Sequence, residues 1–275
     1  MTRLNDRVAL VSGSGRGIGR AVALKLASEG AKLVVNDIDA QHGDAVASEL
    51  RDRGGQAMAV NGSVTEPDFA DRFIDTALEG FGGIDIIVNN AGYTWDATIQ
   101  NTRDEQFQEM LDVHLGAPFR ILRAAAGPIR EAARREKEEG RPIHRKVVNI
   151  SSIAGLFGNA GQSGYASAKA GIGGLTRTLA KEWGRYNVNV NAVAFGLIET
   201  RLTQAIAAEQ ATINMEGREI KVGIRSEMLD SWARMIPLGR AGTPEEAADA
   251  VFLLCAPESD YISGQMLVCA GGLLV

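Results

Sequence analysis

Residues Arg7 to Gly19 read RVALVSGSGRGIG. A short apolar run stops at Gly13. Glycine then recurs at Gly15, Gly17 and Gly19, and a helical pattern follows through Ile18, Ala21, Val22, Leu24, Leu26 and Ala27. An unbroken apolar run of this length reads as a parallel strand buried on both faces. Glycines between such a strand and a helix allow a tight turn and a close approach of backbone to an anion. The helix N-terminus adds amide donors and the positive end of its dipole. The spacing is Gly-x-x-x-Gly-x-Gly, and Ile18 stands where the commoner Gly-x-Gly-x-x-Gly turn has its last glycine. In this strand-to-helix setting the segment Gly13, Gly15, Arg16, Gly17, Ile18 and Gly19 reads as a pyrophosphate turn.

The same alternation continues outward. Strands are expected at 32–36 (KLVVN), 56–60, 84–89 (IDIIVN), 146–150 (KVVNI), 187–194 and 265–268, with helices between them. Gly30 is the stop of the first helix. Thr65 with Pro67, Thr102 with Glu105, and Thr243-Pro244-Glu245-Glu246 carry helix-start chemistry. Strands alternating with helices of ten or more residues imply right-handed crossovers. The expectation is one α/β domain over residues 1–275: a doubly wound, seven-stranded, mostly parallel sheet with helices on both faces. Ligands on such sheets bind beyond the strand C-termini. Asp37 ends the second strand. An acid there accepts hydrogen bonds from both adenosine ribose hydroxyls and repels a 2′-phosphate, which favours NAD over NADP. Arg16 pulls the other way, since it is placed to reach a 2′-phosphate.

Two stretches break the rhythm. Arg134 to Lys146 is charged and reads as an exposed helix extension and loop. Residues 197–238 contain no expected strand. IETRLTQAIAAEQATI and SEMLDSWARMI read as amphipathic helical segments, so a helical substrate lid is expected at about 197–238, its length marking it as functional.

The chemistry concentrates between Asn149 and Gly171, NISSIAGLFGNAGQSGYASAKAG. Tyr165 and Lys169 are four residues apart, one helical turn, and share a face. A free phenol has a pKa of about 10, and a lysine ammonium one turn away favours the phenolate. Ser152, arriving from a strand end, is placed to hydrogen-bond a carbonyl or alkoxide oxygen. The three can move a proton on or off an alcohol oxygen.

Composition narrows the field. A net charge of −5 gives no nucleic-acid footprint, and no apolar run reaches a membrane-spanning length. Two cysteines make no disulfide framework, and His42, His114 and His144 show no ligand spacing, so no metal site is expected. The expectation is a soluble, cytoplasmic protein.

Taken together, the SGSGRGIG turn, Asn89-Asn90-Ala91-Gly92, Ser152, Tyr165-x-x-x-Lys169 and NAVAFGLIET (191–200) resemble the short-chain dehydrogenase/reductase family over essentially the full length. The resemblance implies a Rossmann-type domain and hydride transfer between a nicotinamide and an alcohol or carbonyl. It implies Tyr165 as general acid/base, Lys169 on the nicotinamide ribose, and Ser152 orienting the substrate oxygen. Asn90, Ala91 and Gly92 would flank the adenosine, and Ile198 and Thr200 would contact the carboxamide. Three positions depart from the family pattern. His114 stands where an asparagine usually supports a proton relay to the lysine. Phe195 replaces a proline. Ser63 replaces an aspartate that contacts the adenine, leaving Val64 its backbone contact. The resemblance is nearest to 3-hydroxyacyl-thioester dehydrogenases and 3-oxoacyl reductases, and implies a homotetramer or homodimer. Small residues from Ala166 to Gly174 fit close packing between subunits. The alternatives are an NADP-dependent 3-oxoacyl reductase, a steroid or terpenoid alcohol dehydrogenase, and a catalytically silent cofactor-binding scaffold.

Overall fold

A computed structural model describes residues 2–200, 205–206, 211–215, 218–222, 224–225 and 234–273. Its centre is a seven-stranded sheet built from β1 (Val8–Val11), β2 (Lys32–Val35), β3 (Ala57–Ala59), β4 (Ile86–Asn89), β5 (Arg145–Ser152), β6 (Val188–Phe195) and a last strand, β11 (Met266–Cys269). Every pairing in it is parallel, in the order β11-β6-β5-β4-β1-β2-β3. The chain moves outward from β1 to β3, then returns to β4 on the other side of β1. That reversal opens a crevice above the C-termini of β1 and β4, where a doubly wound sheet binds its ligand.

The apolar strands divide their side chains between two cores. One holds Leu26, Leu33, Val35, Leu50, Val193 and Phe252, under α1 (Gly17–Ser28), α2 (Ala40–Asp52) and α8 (Pro244–Cys255). The other holds Leu10, Phe69, Phe73, Ile87, Met110, Ile121 and Trp183. It lies under α3 (Phe69–Phe81), α4 (Asp104–Leu111), α5 (Ala117–Glu138) and α7 (Ser163–Trp183). α8 starts as its sequence dictates: Thr243 accepts from the Glu246 amide, Glu246 accepts from the Thr243 amide, and Pro244 follows the cap.

Several local expectations shift. α3 begins at Phe69 rather than after Thr65, because Thr65 pairs its hydroxyl with Ser63 at 2.7 Å and the Glu66 carboxylate accepts from the Ser63 amide. The next start moves one residue, with Gln106 accepting from the Arg103 amide. The stretch 134–146 is not wholly solvated. Arg145 opens β5 buried, donates to the Ile84 carbonyl and forms a two-pronged pair with Glu136 of α5. Each charge compensates the other, which lets both leave water.

The helical reading of 198–213 fails at 205–206 and 211–213, and the polar stretch that follows from Arg218 is strand as well. There β8 (Ala211–Met215) and β9 (Arg218–Val222) form an antiparallel hairpin, and β7 (Ala205–Ile206) pairs in parallel with β10 (Ile224–Arg225). β-Branched residues on either side of Glu216-Gly217, Thr212 and Ile213 before and Ile220 and Val222 after, are a hairpin signal. Apolar spacing alone does not separate that pattern from a short helix. The helical expectation for 201–204, 207–210 and 226–233 lies outside the described residues. Among the described residues, no helix is long and apolar enough to cross a membrane.

Candidate active site

The phosphate-type turn connects β1 to α1. Gly13 and Gly17 have φ of +61° and +52°, conformations that L side chains rarely adopt. A Cβ on Gly19 would lie 2.1 Å from the Gly13 carbonyl and 2.4 Å from Asn90 Nδ2. Among the described residues, a Cβ on Gly17 would meet only Thr200, at 3.7 Å. α1 has no side-chain cap and no acid in its first turn. Its N-terminal amides therefore remain available, beside Arg16, for an anionic ligand. This is the geometry a dinucleotide's pyrophosphate fits.

Polar side chains at the strand ends hold the turn rigid. Asn90 donates its amide to the Ser12 and Gly13 carbonyls, while Ser12 Oγ accepts from the Asn90 and Ala91 backbone amides. Asn36 accepts from the Gly13 amide and donates to the Val60 and Gly62 carbonyls, joining β1, β2 and β3. Sequence reasoning missed Asn36. Its signal was a polar residue closing an otherwise apolar strand. Asp37 is buried, with its carboxylate accepting from the Gly15 amide at 3.1 Å and the Asp39 amide at 3.0 Å. The Arg16 guanidinium stands 3.9 Å from it. Ser63 and Val64 lie buried beyond β3, and the Ser63 hydroxyl is engaged by Thr65. Ile198 is buried against Gly242, and Thr200 faces Gly17.

The second cluster sits at the ends of β4 and β5. Ser152 caps α6 (Ile153–Phe157) by accepting from the Ala154 amide and also reaches a hydrogen bond with Tyr165. Lys169 is buried, donates to the Ile150 carbonyl at 2.7 Å, and has its Nζ 5.6 Å from the Tyr165 ring centre. α7 is seated by close approaches within the chain. Gly155 leaves no room for a Cβ against Lys169 and Ala170, and Gly171 lies against Leu115. At least these small residues serve internal packing.

His114 joins this cluster edge-on to Tyr165, with ring centres 4.9 Å apart. It lies in a single π-helical turn, Asp112–Gly116, between α4 and α5. Such turns widen a helix locally and are frequent at functional sites. Nε2 lies 2.7 Å from the Tyr93 carbonyl, which makes it the donor. Nδ1 is a buried acceptor with no partner among the described residues. Gly92 makes room for the ring, since a Cβ there would come 2.2 Å from Cε1.

Burial dominates the electrostatics. It pushes the Tyr165 phenol up to about 12, opposed by the Ser152 hydrogen bond and reinforced by the Asp96 charge. Burial also brings Lys169 down to about 7. It holds His114 well below the usual imidazole range, with the nearby Lys169 charge acting in the same direction. The phenol is therefore raised, not lowered as the neighbouring Lys169 led one to expect. Desolvation disfavours the phenolate by more than a lysine of weakened charge restores.

A family model described as enoyl-(acyl carrier protein) reductase matches residues 13–274. A 3-oxoacyl-[acyl-carrier-protein] reductase from Synechocystis sp. is 38% identical, with all of both chains covered. One from Vibrio cholerae is 36% identical over 98% of each chain, and the short-chain reductase protein NovJ of Streptomyces niveus is 36% identical over 97% of this chain and 94% of its own. With its parallel sheet, glycine turn and serine–tyrosine–lysine cluster, the chain belongs to the short-chain dehydrogenase/reductase family of oxidoreductases, close to its 3-oxoacyl reductases.

Proposed function

We propose that the protein is an NAD(H)-dependent ketoreductase/alcohol dehydrogenase acting on a hydrophobic 3-oxoacyl or 3-hydroxyacyl thioester. The observation that carries this reading is the convergence of Ser152, Tyr165 and Lys169 beside the open N-terminus of α1. The names of the relatives supply the substrate class.

A bound nicotinamide dinucleotide supplies or accepts the hydride. Gly13, Gly15, Arg16, Gly17, Ile18 and Gly19 would hold its phosphates and Asp37 its adenosine ribose. Ser63, Val64, Asn90, Ala91 and Gly92 would line the adenosine side, with Lys169, Ile198 and Thr200 toward the nicotinamide. Ser152 donates a hydrogen bond to the substrate oxygen and fixes it next to the Tyr165 hydroxyl. In reduction Tyr165 gives its proton to that oxygen as negative charge develops there. A phenol raised to about 12 is fully protonated at neutral pH, which suits reduction. In oxidation the substrate oxygen gives its proton back to the Tyr165 phenolate. Lys169 supplies the charge that a departing phenol proton leaves uncompensated, and His114 offers Nδ1 as an acceptor for a water serving that relay.

The cofactor assignment rests on Asp37, a buried carboxylate just beyond β2 that would repel a 2′-phosphate. Arg16 supports NADP as the second reading. The test is a panel of 3-oxoacyl and 3-hydroxyacyl thioesters, steroid ketones and terpenoid alcohols, assayed at 340 nm with each cofactor. Thioester turnover with NADH is expected, and turnover confined to the steroid or terpenoid arm would refute the substrate class. In Asp37→Asn the NADH preference should fall at least about tenfold, through loss of a charged hydrogen-bond acceptor and of like-charge repulsion. A wild-type protein that prefers NADPH would overturn the assignment.

Exposed apolar side chains include Phe107, Phe119, Leu156 and Phe157 on α4 to α6, and Leu253, Ile262 and Val268 around α8 and β11. Two such faces support a tetramer with two kinds of two-fold interface. Light scattering should give the tetramer mass, and a monomer mass would refute it.

A further inference from the structure

We propose that Asp96 is a positioning residue for Tyr165, held by Gln162 in a strap that ties the loop after β4 to the start of α7. The inference rests on Tyr165 being the acid/base. Three bonds make the strap. Gln162 Nε2 donates to Asp96 Oδ2 at 2.9 Å, Asn159 Nδ2 donates to Gln162 Oε1 at 3.0 Å, and the Ala97 amide donates to the Gly161 carbonyl at 2.8 Å. Ala97 and Gln162 also form an isolated parallel bridge. Gln162 is the residue at the N-terminal end of α7, three residues ahead of Tyr165.

The geometry gives the strap two effects on the phenol. It fixes the first turn of α7 against the segment that carries the Tyr93 carbonyl, and that carbonyl in turn holds His114. Tyr165 and the ring packed edge-on to it are thereby positioned from one connected loop. The strap also holds the Asp96 carboxylate, whose charge opposes loss of the phenol proton. Among the described residues, the titratable groups facing Tyr165 are Lys169 from α7, His114 from the π turn and Asp96 from the β4 loop. The Ser152 hydroxyl faces it from the end of β5. Asp96 is the only acid among them, so its charge acts in one direction: it favours the phenol.

Two variants separate the strap from the charge. Asp96→Asn retains an oxygen that can accept from Gln162 and removes the charge. The pH profile of alcohol oxidation, which needs the phenolate, should then move about half a pH unit lower, making oxidation about threefold faster at a fixed pH on the rising limb. Gln162→Ala retains the charge and cuts the strap. Its kcat should fall about tenfold while cofactor affinity, read by fluorescence titration, stays within about twofold. Both sites lie at the surface of the cleft, so an unchanged melting temperature accompanies each result. An unmoved pH profile in Asp96→Asn, or wild-type kcat in Gln162→Ala, overturns the inference. Tyr165→Phe, measured alongside, separates the failures: if that variant turns over normally, the underlying reading of Tyr165 is wrong; if it is inactive while the other two match wild type, only the strap is wrong.

Discussion

Replacing Tyr165 with phenylalanine lowers kcat/KM by about a thousandfold, roughly 4 kcal/mol of transition-state stabilisation, and leaves cofactor affinity nearly unchanged. The substitution deletes one hydroxyl from a ring that stays packed against His114 and within reach of Lys169. Among the described residues, none beside it can replace the proton. Burial has brought Lys169 to about 7 and holds its ammonium on the Ile150 carbonyl, while His114 is kept neutral with its only N–H committed to the Tyr93 carbonyl. Ser152 still orients the substrate oxygen, but a serine hydroxyl is too weak an acid at neutral pH to take over the transfer. Stopped-flow reduction of the thioester, with cofactor binding followed by fluorescence, checks both halves. Turnover within tenfold of wild type would remove Tyr165 from the mechanism.

The second large effect is expected at Gly19. An alanine there drives a methyl to 2.1 Å from the Gly13 carbonyl, which Asn90 also holds. Both atoms belong to rigid parts of the turn, so α1 must move away from β1. Overpacking of this kind costs up to about 3 kcal/mol, a fall in melting temperature of about 6–12 °C for a chain of this size. The displaced amides should also weaken cofactor binding at least about tenfold. Gly17→Ala is the contrast. Among the described residues its Cβ meets only Thr200, at 3.7 Å, so the cost expected is that of the left-handed backbone, about 1–2 kcal/mol, while the methyl enters the space proposed for phosphate. Calorimetry with cofactor titration checks the pair. Equal melting temperatures for wild type and Gly19→Ala would show that the turn relaxes freely, contrary to the packing described.

What could be read from the chain follows from how local each signal is. The RVALVSGSGRGIG segment placed β1, its turn and α1 because strand burial, glycine φ and the helix start are each written within a few residues. The other strands of the sheet were legible for the same reason, with ends displaced by a residue or two. Tyr165 and Lys169 share a helix face by spacing alone, so their proximity needed only the helix. The hairpin at 211–222 was misread because short alternating and helical apolar patterns overlap when the segment is brief and no long-range partner is visible in the sequence.

The sequence determined a parallel doubly wound sheet, an anion-binding turn and a tyrosine–lysine pair, because each depends on periodicity or on backbone freedom at single glycines. Only the tertiary structure decided the rest. Asn36 ties three strand ends into one frame, Arg145 and Glu136 neutralise each other across a helix and a strand, and a π turn with Gly92 beneath it delivers His114 to the edge of Tyr165. The pKa of the phenol belongs to this second group. Spacing alone placed a lysine beside it and so pointed downward. Burial, which exists only once β4, β5 and α7 close around the ring, moves it upward.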